Sequence, residues 1–131
     1  MKKLLAMLLT LSMLFALAAG TVTVSAEETR TIVDGMDRSV EIPADVRRIV
    51  CVGVGALRYT CYVGGADRVV GVEDYETKPG MSRLYNYVNF DRFQDLPVTG
   101  TNGEPFVEEI INVEPQVIVM SSYAKQDPDE L

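Results

Sequence analysis

Histidine is absent from this 131-residue chain, and cysteine occurs only at Cys51 and Cys61. Without histidine, no Ser–His or Cys–His nucleophile pair can be assembled. Two cysteines cannot fill a tetrahedral zinc site alone. Direct capture of zinc or manganese, which leans on imidazole, is disfavoured for the same reason. Positive charge is also scarce: 12 Lys and Arg stand against 19 Asp and Glu, for a formal charge of −7. Phosphate backbones would be repelled, so no nucleic-acid partner is expected. Paired carboxylates are the remaining enzymatic option. Glu73 and Asp74 are neighbours on a strand-like stretch, and neighbouring strand residues point to opposite sides. They do not make a pair facing one bond, and no catalytic residue is expected.

A long membrane-spanning run is lacking as well. Leu4 to Ala19 is apolar but short for a span of about 20 residues. Lys2 and Lys3 precede it, and Val24-Ser25-Ala26 follows as a small-residue cleavage site. Residues 1–26 therefore read as a signal peptide rather than an uncleaved anchor. No cysteine lies near the cut, so a lipobox anchor is not encoded, and a periplasmic or extracellular location is expected. Cleavage removes only Lys2 and Lys3 among charged groups, leaving 105 residues at a formal charge of −9. That length suits one domain, 27–131. Export permits a Cys51–Cys61 disulfide. The alternative is two small buried thiols, which a disulfide's narrow geometry favours.

What is present alternates. Thr31 to Val33 and Ser39 to Ile42 flank Asp34-Gly35 and predict a β-hairpin ending at Pro43. Ile49 to Val54 is an unbroken apolar strand of the kind buried on both faces of a parallel sheet. Ala56 to Val63 predicts a short helix, stopped by Gly64-Gly65. Strands follow at Val69 to Val72 and Val98-Thr99, with a short helix expected from Met81 to Tyr87. "TNGEPFVEEIINVEP" predicts a helix with Pro105 near its first turn and Val107, Ile110 and Ile111 on its apolar face. Gln116 to Met120 is a fourth apolar strand. The pattern predicts an α/β fold: a Rossmann-like parallel sheet flanked by helices and preceded by a β-hairpin.

In such sheets ligands bind beyond the carboxyl ends of the strands. That rule selects the loops Gly53 to Arg58, Glu73 to Glu76, Gly100 to Glu104 and Ser121 to Tyr123. They supply Arg58, Tyr75, Asn102, Ser121, Ser122 and Tyr123 as candidate binding residues. The first loop also tests a dinucleotide reading, because Gly53-x-Gly55 follows a strand and Glu73 stands about twenty residues on. The third glycine of that fingerprint would fall on Arg58. A long cationic side chain there contradicts the close helix packing the glycine allows.

Read in order, "VDGMDRSVEIPADVRRIVCVGVGALRYTCYVGGADRVVGVEDY", "LPVTG" and "FVEEIINVEPQVIV" resemble the iron-siderophore, haem and vitamin B12 binding proteins of ABC importers. The likeness runs from about Ile32 to Met120. It implies a bilobed binding protein in which each lobe is a Rossmann-like unit and ligand sits between them. This chain would supply the N-terminal lobe and would be a truncated product. The implied function is capture of a ferric-siderophore or related iron, haem or corrinoid chelate and its delivery to a membrane permease. No resident cofactor is implied, and a monomer is expected. An exported interaction or adhesion domain reusing the fold is the alternative.

By the same resemblance, Gly55, Ala56, Leu57 and Arg58 form the first ligand loop and Tyr75 lies on the second. Glu108 falls on the helix glutamate that pairs with a permease arginine in relatives, a rim contact that guides orientation. The chain departs from the pattern at three places: Arg58 replaces a frequent glutamate, Gln116 an aspartate, and Phe106 an asparagine. Arg58 suits an anionic ligand; Tyr75 and Tyr123 would flank a flat chelate or contribute phenolates to iron.

Overall fold

The computed structural model describes residues 28–131. The expected signal peptide and its cleavage site lie outside the described residues. The hairpin forms as a separate sheet, β1 (Thr29–Val33) pairing antiparallel with β2 (Ser39–Pro43). Asp34 closes it: its Oδ1 accepts the backbone N–H groups of Met36 (2.8 Å) and Arg38 (3.0 Å). This is the side-chain turn mimicry that makes Asp a turn residue.

The main sheet has five strands in the order β6-β5-β4-β3-β7. They are β3 (Ile49–Val52), β4 (Val69–Glu73), β5 (Val98–Thr101), β6 (Glu104–Pro105) and β7 (Val117–Met120). Four of them run parallel, as the unbroken apolar runs predict. The fifth does not: β6 turns back antiparallel on β5, with Gly100 opposite Pro105. Asn102 (φ 47°) and Gly103 (φ 82°) form the two-residue turn between them, as Asn-Gly does in tight hairpins. Pro105 therefore sits on an edge strand, where its missing N–H costs no ladder bond. The expected helix begins two residues later, as α3 (Val107–Asn112).

Helices cover both faces. α1 (Ala56–Tyr62) and α2 (Leu84–Phe93) share one apolar cluster, in which Ala56, Leu57 and Phe93 pack with Cys51, Val69 and Val72. α3 lies on the other face, with Ile110 and Val113 against Val50 and Val52. Burial of each such side chain contributes about 1.5–3 kcal/mol. α2 begins three residues later than the sequence predicts and runs on to Phe93, because Phe93 is fully buried and anchors its far end.

Gln116, where the resemblance expects an aspartate, ties two backbone amides. Its Oε1 accepts the backbone N–H groups of Arg47 (2.6 Å) and Arg48 (3.2 Å), fixing the entry to β3 beside β7. Both cysteines are free thiols, Cys51 buried and Cys61 half-buried. Of the two alternatives for the pair, the structure takes the thiols.

Candidate functional site

β3 ends at Val52, two residues earlier than the apolar run, because Gly53 adopts φ 88° and turns the chain out of the sheet. A Cβ at Gly53 would lie 2.5 Å from Ser121 Oγ and 2.8 Å from the Ala124 nitrogen. The loop after β3 thus packs directly on the loop after β7. Ser121 N–H donates to the Val52 carbonyl at 3.0 Å, joining the same two loops.

Glu73, the last residue of β4, is buried. Its Oε1 accepts the backbone N–H of Gly53 at 2.9 Å and that of Gly103 at 2.9 Å. One carboxylate oxygen therefore ties the loop after β3 to the β5–β6 turn. The dinucleotide reading would aim this carboxylate at a ribose; here one of its oxygens serves two backbone amides. Lys125 N–H donates to the Gly103 carbonyl at 2.8 Å, so the turn is also bound to the segment after β7. The four loops that the carboxyl-end rule selects form one connected rim.

Arg58 is exposed on α1. Its guanidinium folds back over the glycine loop, with Nη2 3.5 Å from where a Cβ on Gly55 would stand. It also lies 5.2 Å from the centre of the Tyr59 ring. Gly55 itself precedes the helix at φ 94°. Ala56 and Leu57 are 2% and 4% exposed and pack in the core. The helix starts at once after Gly55 and turns these two side chains inward.

Tyr75 is 53% exposed, in the short helical turn Asp74–Thr77. Asp74 accepts the Thr101 hydroxyl at 2.9 Å, and that hydrogen bond holds its carboxyl below the usual range, with Lys78 at 3.6 Å adding to it. Asn102, Ser122 and Tyr123 are exposed and Ser121 half-buried. Ser121 Oγ accepts the N–H of Tyr123 at 3.2 Å. Glu108 is exposed beside Glu109 in the first turn of α3, on the sheet face opposite α1 and α2.

Sequence reasoning missed the group behind Tyr75. Glu76 is buried and accepts Arg83 Nη1 (2.8 Å), the Tyr85 hydroxyl (2.8 Å) and Asn86 Nδ2 (3.1 Å). These residues lie in an irregular stretch with no periodicity to mark them. Burial and the hydrogen bond to Glu76 push the Tyr85 hydroxyl well above its ordinary value.

An apolar groove of about 800 Å³ runs between the hairpin and β7, lined by Ile32, Val40, Ile42, Val117 and Val119, and reaches Ser121 and Ser122 at one end. Among the described residues, no cluster of three or more His, Cys, Asp or Glu could hold a metal ion. No helix among them is long and apolar enough to cross a membrane.

The chain matches no protein-family model and no curated protein by sequence. Its likeness is to solved structures. The molybdate periplasmic binding protein MolA of a Haemophilus influenzae ABC transporter, solved with molybdate bound, matches at a TM-score of 0.62 and 23% identity. The match covers 77% of this chain and 30% of that one. The haem-binding protein HmuT matches at 0.53 and 18% identity, over 82% of this chain and 33% of that one. The petrobactin-binding protein YclQ of Bacillus subtilis matches at 0.51 and 20% identity, over 70% and 30%. The chain thus spans about a third of the length of these structures and shares the fold of that part of them: a parallel-rich α/β sheet of the kind found in solute-binding proteins of ABC importers.

Proposed function

We propose that this chain is the N-terminal lobe of a solute-binding protein that captures an anionic, metal-bearing ligand and delivers it to an ABC permease. The reading rests first on the rim geometry. Arg58 folds its guanidinium over the Gly55 loop, and the loops after β4 and β7 carry exposed aromatic rings at Tyr75 and Tyr123. A guanidinium is a fixed fork of donors for carboxylate or catecholate oxygens. The aromatic faces suit a flat chelate. The ligands named for the structural neighbours, molybdate, haem and petrobactin, make metal-bearing species the class to test. A ferric siderophore is the ligand we favour, with haem and corrinoids as its competitors.

Affinity would come from closure of two lobes on the ligand, so one lobe alone binds weakly. Glu108 is our candidate for the permease contact. Residues 1–26 act as an export signal in this reading, and no reaction is catalysed.

The test is calorimetric titration of the secreted, full-length protein with a ferric tris-catecholate, haemin, cyanocobalamin and molybdate. At least one anionic ligand is expected to bind below roughly 10 µM, about −7 kcal/mol. Binding should weaken about tenfold in Arg58→Glu. Failure of all four ligands to bind would remove the uptake reading.

A further inference from the structure

We propose that Arg83 is a positioning residue that fixes Tyr75 at the rim of the site. The guanidinium stands 3.6 Å from the centre of the Tyr75 ring. Its Nη1 also donates to the Tyr75 carbonyl at 3.0 Å, and its Nη2 to the Lys78 carbonyl at 2.9 Å. One planar group therefore holds both the ring and the backbone of Tyr75.

The guanidinium is itself pinned. It pairs with Glu76 at 2.8 Å, with both side chains 11% exposed. Glu76 is held in turn by Tyr85 and Asn86, and Asn86 Nδ2 donates to the Glu76 carbonyl at 2.7 Å. Arg83 immediately precedes α2, whose Tyr85 and Asn86 hold its partner Glu76, and Tyr75 sits in the short turn Asp74–Thr77. A part-buried ion pair whose guanidinium also donates to two backbone carbonyls is held in one geometry. Gly80 leaves room for it: a Cβ there would lie 2.7 Å from Arg83 Nε and 2.8 Å from Nη2.

The consequence is a ring with one face covered and one face free. Tyr75 remains 53% exposed, but its orientation is set before any ligand arrives. Preorganisation of this kind removes part of the ordering cost of binding. The statement about Tyr75 stands on its own contacts. Only its effect on affinity rests on the ligand reading above.

The experiment places 3-fluorotyrosine at Tyr75 in the full chain and reads its ¹⁹F resonance. Arg83→Lys keeps a charge for Glu76 but loses the planar stack and the fork. Gly80→Ala displaces the guanidinium without touching Tyr75. Both variants are expected to move the resonance toward its position in unfolded protein and to narrow it, while circular dichroism stays native. An unchanged resonance in both folded variants overturns the proposal. In the titrations of the preceding section, the ligand that binds wild type is expected to bind both variants roughly threefold to tenfold more weakly, the cost of ordering one side chain on binding. If wild type binds none of the four ligands, the uptake reading fails, and the ¹⁹F result alone decides the role of Arg83.

Discussion

The carboxylate of Glu73 accepts the backbone N–H of Gly103, thirty residues further along the chain, at 2.9 Å. The same oxygen accepts Gly53 at 2.9 Å. All three residues are buried, so neither N–H can turn to water if the carboxylate is removed. Each stranded donor costs about 1–3 kcal/mol. Glu73→Ala is therefore expected to lower unfolding stability by about 2–4 kcal/mol, read from urea denaturation. Glu73→Gln keeps an acceptor oxygen and should lose less than half as much. A loss below about 1 kcal/mol in the alanine variant would show that the rim is held by other contacts.

The two loop glycines should differ in their tolerance of a side chain. Both have positive φ, 88° at Gly53 and 94° at Gly55, so alanine strains the backbone at either position by about 1–2 kcal/mol. A Cβ at Gly53 additionally meets backbone of the 121–124 segment at 2.8 Å, whereas at Gly55 its nearest neighbours are side-chain atoms at 3.5 Å. Gly53→Ala is expected to be the more damaging by at least about 1 kcal/mol. Equal thermal midpoints for the two variants would contradict that packing.

These glycines also show what the sequence could and could not convey. The strands β3, β4 and β7 were legible because apolar residues run unbroken through them. Gly53 and Gly55 were legible as a turn, but their spacing imitates a nucleotide fingerprint. Only the buried bond from Glu73 shows that the acidic residue serves the protein's own backbone. α2 was misplaced for a different reason. Its interior face carries Asn86, while Leu84, Tyr87 and Val88 face outward. Asn86 is needed inside to bind Glu76, so a polar residue interrupts the buried face that Tyr85 and Phe93 supply, and periodicity misleads. The β5–β6 turn did leave a signal, Asn102-Gly103, but Pro105 after it suggested a helix start more strongly. For the site, the carboxyl-end rule found the loops. It reached Glu76 at the end of the second loop without marking it, and it did not reach Arg83, because their pairing is set by how the chain folds between them.

The two thiols should resist modification while the chain is folded. Burial, offset in part by a hydrogen bond between Cys51 and Thr60, pushes Cys51 up to about 12. Burial, with Glu76 nearby, pushes Cys61 up to about 11. Thiolate is the reactive form. At pH 8, labelling of Cys61 by iodoacetamide is expected to be on the order of a hundredfold slower in native protein than in denaturant. Cys51 should be slower still. The sign for stability follows from linkage: the folded chain holds these protons more tightly than the unfolded chain. Their contribution is complete below about pH 8.5 and drains away as pH rises toward the folded values. A denaturation midpoint that rises between pH 9 and 11 would contradict this.

Strong acid should loosen the hairpin through Asp34. Its carboxylate accepts the backbone N–H groups of Arg38 and Met36 and binds the Arg38 guanidinium, with Oδ2 2.8 Å from Nε and 2.7 Å from Nη2. The backbone hydrogen bond from Arg38, then its side chain, then the N–H of Met36 hold this carboxyl below the ordinary aspartate value. A depressed folded value means that the stabilisation is present above the unfolded value, near pH 4, and lost as pH falls through the folded one. The amide resonances of Met36 and Arg38 are therefore expected to shift together on acidification, with a midpoint below about 3.9. Arg38 also bridges to Asp129 at 2.5 Å, so the amide of Asp129 should report the same loosening. Arg38→Ala removes the guanidinium but leaves both backbone donors, and should move the Asp34 midpoint only part of the way back. A full return to the ordinary value in that variant would show that the ion pair, rather than the turn's own amides, holds the charge.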